Sequence, residues 1–229
     1  MPQKGIGNMY QIAIDGPSGA GKSSLARRVA RELSYIYVDT GAMYRAVGLY
    51  MYQNGIEPTD AEAVTAALAH VQVTVGYENG EQHVYLGGKD VSTAIREHII
   101  SRYASCVSAI PAVRAFLLEL QRDMAKTHNV VMDGRDIGTV IFPDAQVKLY
   151  LTADDETRAR RRCEELKQKG QSVDYETVLH DIRARDAQDA GREIAPAKPA
   201  EDAVFLDNSH ITEEETVQEA LAIIRRVIG

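Results

Sequence analysis

Between a short apolar run, Tyr10 to Ile14, and an amphipathic stretch that begins at Ser23, the chain reads Gly16-Pro17-Ser18-Gly19-Ala20-Gly21-Lys22-Ser23. No other segment constrains the fold as strongly. The pattern G-x-x-x-x-G-K-[ST], set between a strand and a helix, is the P-loop, whose glycines let backbone N–H groups turn inward around a polyphosphate. The helix behind it adds positive potential at its first turn. Lys22 is expected to reach the β- and γ-phosphates, and the Ser23 hydroxyl to bind Mg²⁺. Behind the loop, Leu25, Val29 and Leu33 recur at i, i+4 and i+8 with Arg27, Arg28 and Arg31 opposite, the pattern of a half-buried helix.

The remaining elements extend this start into an α/β chain. Tyr35 to Val38 reads as a second strand, and Ala42 to Gln53 as a helix that stops at Asn54-Gly55. Strands alternating with helices call for a parallel sheet covered by helices. The pattern changes between residues 67 and 102. There Val71, Val73 and Val75 alternate with polar residues, Glu78-Asn79-Gly80-Glu81 offers a type I′ turn, and His83 to Leu86 returns, which predicts an antiparallel hairpin inside a parallel architecture. Helices are expected over Arg102 to Ala109 and Pro111 to Lys126, and three more strands over Asn129 to Met132, Gln146 to Leu151 and Ala203 to Leu206. Thr152-Ala153-Asp154-Asp155 and Thr212-Glu213-Glu214-Glu215 have the capping-box form and predict helix starts. The first of these helices carries Arg158 to Arg162 and breaks at Lys167-Gln168-Lys169-Gly170.

Charge and composition narrow the partners. Lys and Arg number 26 against 33 Asp and Glu, a net charge of −7, which argues against a general nucleic-acid or membrane-surface binder because those need a broad basic field. Of the 26 basic residues 18 are arginine, either a base-composition bias or a preference for the fork that grips phosphate through two bonds. From Arg158 to Arg192 there are nine basic residues against seven acidic, so an anion is expected to be met there. Two cysteines, Cys106 and Cys163, are too few for a disulfide framework. No stretch reaches the roughly 20 apolar residues of a membrane span, and residues 1–8 lack the form of a signal peptide. A cytoplasmic protein is expected.

A nucleotide-operated switch would need D-x-x-G and N-K-x-D, and neither occurs; a motor usually needs a longer chain. A small-molecule kinase is favoured. In an open parallel sheet the ligand crevice lies beyond the strand C-terminal ends, where Thr40, Asp133, Arg135 and Asp136 all fall. With Arg45, Arg114, Arg183, Arg185 and Arg192 available, each alone an ordinary surface charge, convergence would suit an acceptor that is itself an anion, such as a nucleoside monophosphate.

Three segments carry a more specific signal: Ile14-Asp15-Gly16 through Ser23, Val38-Asp39-Thr40-Gly41-Ala42-Met43-Tyr44-Arg45, and Met132-Asp133-Gly134-Arg135-Asp136-Ile137-Gly138-Thr139-Val140. With Arg185-Asp186-Ala187-Gln188-Asp189-Ala190-Gly191-Arg192 and Ala195-Pro196, they closely resemble the bacterial cytidylate kinases, in order, over nearly the whole chain. The resemblance implies a P-loop kinase fold with a five-stranded parallel sheet. Residues 9–39, 104–155 and 195–229 would form the core, 40–103 a monophosphate-binding domain with the hairpin insert, and 156–194 a lid and following helix.

The resemblance also implies ATP and Mg²⁺ as cofactors, with ATP held by Gly16, Pro17, Ser18, Gly19, Ala20, Gly21, Lys22, Ser23 and Ser24. Arg45, Arg135 and Arg192 would hold the acceptor phosphate, with Thr40 beside them. Ser105, Arg114 and Asp136 would read cytosine, and Asp189 with Arg185 would meet the ribose. Arg158 and Arg162 would cover ATP from the lid; the alternative is a surface helix salt-bridged to Glu164 and Glu165. Asp133 is the candidate carboxylate behind the waters of the metal. Thr40 stands where relatives often have Ser, and Ser23-Ser24 where some have Gly-Thr; the hydroxyls are retained. The implied activity is phosphorylation of CMP or dCMP by ATP, by a monomer and with no nucleic acid or membrane as partner. A shikimate-like small-acid kinase and a non-catalytic ATP-binding regulator are the alternatives.

Overall fold

The computed structural model describes residues 9–78, 80–168 and 170–229; the expected turn residue Asn79, Lys169 of the helix break and residues 1–8 lie outside the described residues. In chain order the elements are β1 (Gln11–Asp15), α1 (Lys22–Leu33), β2 (Ile36–Asp39), α2 (Thr40–Gln53), α3 (Ala61–Ala67), β3 (Val73–Glu78), β4 (Glu81–Leu86) and β5 (Lys89–Asp90). They continue with α4 (His98–Val107), α5 (Pro111–Thr127), β6 (Val130–Asp133), β7 (Val147–Thr152), α6 (Asp155–Gln168), α7 (Tyr175–Ala190), β8 (Val204–Asp207) and α8 (Glu213–Ile228). Five strands form one sheet in the order β2-β6-β1-β7-β8, every neighbouring pair parallel. Strands β3, β4 and β5 form a separate antiparallel sheet.

The period of two along β1 divides the core. Ile12 and Ile14 point to one face, where Leu25 and Val29 of α1 and Val217, Leu221 and Ile224 of α8 pack over Val131 and Leu149. Ala13 points to the other, against Met43 and Val47 of α2, Ile100 of α4 and Leu117 of α5. Each such fully buried aliphatic contributes about 1.5–3 kcal/mol. The helices α6 and α7 bury a small cluster of their own, Ala159, Leu166, Val178, Leu179 and Ile182. The small residue Gly48 lets α2 approach α4 closely: a Cβ there would stand 2.9 Å from the Ala104 nitrogen.

The expected capping box at Thr212 is present, with Thr212 and Glu215 bonding reciprocally. The one at Thr152 is not. Thr152 is still paired with Asp207 in the sheet, and Asp154 caps α6 by accepting the Thr157 N–H at 2.6 Å. A short carboxylate two residues later competes better once the strand claims the threonine. Two helices differ from expectation: α4 begins at His98 rather than Arg102, and α3 was not anticipated although Asp60 caps it through the Ala63 N–H at 2.9 Å.

Candidate active site

The three central strands end on one rim, and the loops that leave them build the site. Gly16 leaves β1 with φ +147°, and a Cβ on it would lie 2.0 Å from the Leu151 carbonyl oxygen, so no side chain fits where the loop crosses β7. Helix α1 starts at Lys22 behind Gly21 (φ 90°) with no side chain capping it, which leaves its first-turn N–H groups to an anion. Lys22 is buried and donates from Nζ to the Pro17 carbonyl at 2.7 Å. Burial and the neighbouring Arg135 push its pKa well below the usual lysine value, against the pull of Asp133 and Asp15.

Asp133, at the end of β6, is the hub of the rim. Its Oδ2 accepts from Ser23 Oγ at 2.9 Å and its Oδ1 from the Tyr37 hydroxyl at 2.8 Å, while Thr40 Oγ1 donates to its carbonyl at 2.8 Å. Burial, with Asp39 nearby, raises its pKa. A serine hydroxyl and one carboxylate are hard oxygen donors, and among the described residues no cluster of three acidic, His or Cys side chains could enclose a metal alone. That set fits Mg²⁺, which keeps most of its waters and takes phosphate oxygens.

A single cleft of about 630 Å³ runs from the P-loop to the far end of β6. It is lined by Ser18, Gly19, Gly21, Lys22, Ser23 and Ser24 on one side and by Thr40, Arg45, Ser105, Arg114, Asp133, Arg135, Asp136, Arg185, Asp189 and Arg192 on the other. The expected donor and acceptor residues are thus brought together, apart from Gly16, Pro17, Ala20 and Arg158, which lie behind the lining. Arg45, Arg135, Arg185 and Arg192 are among the arginines that line this space. Asp189 is shared between Arg135, whose Nε is 2.9 Å away, and Arg192, which also donates to Ser108 Oγ at 2.9 Å. The buried Nε groups of Arg185 and Arg192 have no partner among the described residues. Burial and the adjacent Arg135 push the Arg185 pKa down to about 10. Three cations, Arg135, Arg185 and Arg192, around the one carboxylate of Asp189 describe a place for a further anion.

Beyond the arginines, Arg114 of α5 and Asp136 form a buried ion pair. Arg114 also donates to Ser108 O at 3.2 Å and lies 5.7 Å over the Tyr44 ring. Asp136 opens a wide helical turn, Ile137–Ile141, whose first N–H groups, of Ile137 and Gly138, both donate to the Asp15 carboxylate at 2.8 Å. The end of β1 thereby fixes both the P-loop and the turn that presents Asp136.

Arg158 and Arg162 do not line the cleft together. Arg162 lines the cleft and bonds to Glu165 at 2.7 Å. Arg158 turns inward, 3% exposed, donating to Ala153 O at 3.1 Å and Ser18 O at 2.8 Å and pairing with Asp186 and Asp155. Asp186 also accepts the Ser18 N–H at 3.2 Å. Arg161 takes the place beside Arg162 in the lining and donates to Asn208, whose Nδ2 bonds to Ala20 O at 3.0 Å. Sequence reasoning missed Asn208 and Asp186. The only local signal was that Asn208 follows a strand at the same rim. Arg183 stays on the surface with Asp155 and Glu156.

The chain has counterparts among known proteins. The family model described as cytidylate kinase matches residues 12–226. A protein named cytidylate kinase from Caldicellulosiruptor saccharolyticus is 47% identical over 218 residues, covering 95% of this chain and 96% of that one. A protein of the same name from Caldanaerobacter subterraneus is 49% identical over 216 residues, covering 94% and 95%. Among solved structures, an uncharacterized protein from Eubacterium ventriosum shares the fold, with a TM-score of 0.54 at 12% identity over 95% of this chain and 99% of that one. With the family model spanning residues 12–226 and these relatives agreeing over almost the full length, the chain belongs to the cytidylate kinase family.

Proposed function

We propose that this protein transfers the γ-phosphoryl group of ATP to CMP or dCMP, giving ADP and CDP or dCDP. The observation that carries it is the convergence of Arg45, Arg135, Arg185 and Arg192, two of them with unpartnered buried N–H groups, on the cleft that also holds Lys22. ATP lies along the P-loop, its polyphosphate held by the loop amides and Lys22. The acceptor phosphate sits among the four arginines, and the cytosine between Ser105, Arg114 and Asp136. The Asp136 carboxylate accepts from the cytosine amino group, while Arg114 donates to its ring acceptors. Uracil presents an oxygen at the same point and meets a carboxylate, which disfavours it.

No general base is required, because a phosphate monoester has a second pKa near 6 and its oxygen is already anionic at neutral pH. The protein positions the two phosphates in line and neutralises the charge between them through Lys22 and the arginines. Ser23 and, through water, Asp133 would hold Mg²⁺, which would supply further charge neutralisation on the polyphosphate. Arg162, on the lid side of the cleft, approaches ATP; Arg158 holds the Ser18 corner of the loop in shape. Residues 9–39, 104–155 and 195–229 serve as the core, with 40–103 and 156–194 closing over it to exclude water.

Among the described residues no single helix is long and apolar enough to cross a membrane; the free Cys106 and Cys163 support a reducing compartment, and we take the protein to work there as a monomer. The test is ADP release from Mg·ATP with CMP, dCMP, UMP, AMP or shikimate as acceptor. Turnover with CMP and dCMP well above the others is expected. Turnover with shikimate alone would replace the proposal by a small-acid kinase, and ATP binding without turnover by a regulator.

A further inference from the structure

Strand β2 is the outer strand of the parallel sheet, so the backbone on its far edge has no strand to pair with. Side chains of the antiparallel hairpin take that place. Gln82 of β4 accepts the Asp39 N–H through Oε1 at 2.7 Å and donates to Asp39 O through Nε2 at 3.2 Å, imitating a paired backbone unit. The Tyr77 hydroxyl of β3 donates to Tyr37 O at 3.0 Å. Arg96, in the short turn Ala94–Arg96 after the hairpin, donates to Asp39 Oδ2 at 3.1 Å.

Asp39 is also joined to the acceptor side. Its Oδ1 accepts the Ala42 N–H at 2.9 Å and so caps α2, the helix that carries Arg45. The NH1 of Arg45 lies 3.9 Å from Asp39 Oδ2, the oxygen that Arg96 holds at hydrogen-bond distance. A buried carboxylate seeks a cation. With Arg96 in place that need is met from outside the cleft.

We propose that the hairpin insert positions the acceptor-phosphate arm: Gln82 fixes the end of β2, and Arg96 occupies Asp39 so that Arg45 stays available to the acceptor phosphate. Arg96 and Gln82 are positioning residues that act through Asp39 and Arg45. The inference rests on the CMP kinase reading. Without Arg96, Arg45 closes onto Asp39 and must break that pair before it can bind phosphate.

The experiment measures KM for CMP and for ATP, and kcat, in the wild type and in Arg96→Gln, Arg96→Lys and Gln82→Ala. It repeats Arg96→Gln in an Arg45→Gln background. Arg96 has a side chain 47% exposed, so its replacement should leave the fold intact. Arg96→Gln is expected to raise KM for CMP about tenfold, the scale of one charge-assisted hydrogen bond, with KM for ATP unchanged. Arg96→Lys should recover most of the loss, and Gln82→Ala should shift KM for CMP in the same direction. In the Arg45→Gln background the Arg96 effect should vanish. A KM for CMP within twofold of wild type in Arg96→Gln, or an equal rise in the background without Arg45, overturns the inference while the CMP kinase reading stands. A wild type that does not turn over CMP overturns both.

Discussion

Replacing Asp136 by alanine removes the carboxylate proposed above to distinguish cytosine from uracil. The carboxylate is 4% exposed and paired with Arg114, which keeps only Ser108 O at 3.2 Å and the face of Tyr44 at 5.7 Å once Asp136 is gone. A hydrogen bond to a charged group is worth about 1.5–3 kcal/mol, and Arg114 also loses the partner that orients it, so kcat/KM for CMP should fall by about 10²-fold or more. The Asp15 carboxylate binds the turn through the Ile137 and Gly138 backbone, not through the Asp136 side chain, so KM for ATP should hold. UMP no longer meets a carboxylate, and the CMP/UMP ratio should narrow. ADP release at varied CMP, UMP and ATP measures all three quantities. An unbound buried guanidinium also destabilises the fold, by up to about 3–5 kcal/mol, which a urea melt reads separately. Unchanged CMP kinetics, or an equal loss for CMP and UMP accompanied by a raised KM for ATP, refutes the assignment of Asp136 to the base.

Three other perturbations test different parts of the structure. Arg135→Lys keeps the charge but cannot bond Asp189 through Nε and present its remaining donors to phosphate, so kcat/KM should drop at least about tenfold; normal turnover would mean that the fork is not used. Gly48→Ala puts a methyl 2.9 Å from the Ala104 backbone nitrogen, which cannot rotate away, and should cost about 1–3 kcal/mol in a denaturant melt; no change would mean that α2 and α4 pack less closely. Burial, partly offset by the Gly138 and Ile137 N–H groups, raises the Asp15 pKa from 3.8 to about 6. The folded state therefore binds this proton more tightly than the unfolded chain does, and its contribution to stability falls as pH rises from about 4 to about 6, by about 3 kcal/mol over the whole transition. Melting wild type against Asp15→Asn from pH 4 to 8 should show their difference changing in that window and flat above it; a flat difference throughout would place the ordinary pKa on Asp15.

The P-loop, the five parallel strands and the hairpin could be read from the chain because each is a local pattern: glycines before a helix, apolar runs of strand length, alternation around a turn. The motifs around Thr40, Asp133 and Arg192 carried the resemblance from which the donor and acceptor residues were expected. Other features depended on contacts between distant segments. The strand order β2-β6-β1-β7-β8 places β6 between β2 and β1, two strands adjacent in the chain, and so brings Asp133 to Ser23 and Tyr37. Arg158 and Arg162 share a helix face by spacing, yet the P-loop carbonyl of Ser18 and the carboxylate of Asp186 draw Arg158 out of the cleft, leaving Arg161 and Arg162 to line it. Thr152 has the form of a helix cap, but its partner in β8 keeps it in the sheet. Nothing within residues 67–102 indicates that Gln82 seals the edge of β2, because that edge exists only after the sheet has formed. Sequence alone thus determined the phosphate-binding loop and the chemical character of the rim, since both are written in neighbouring residues. Which guanidinium faces the cleft and which is held in the protein was decided only by tertiary packing, because a buried charge goes to whatever partner the fold brings within a hydrogen bond of it.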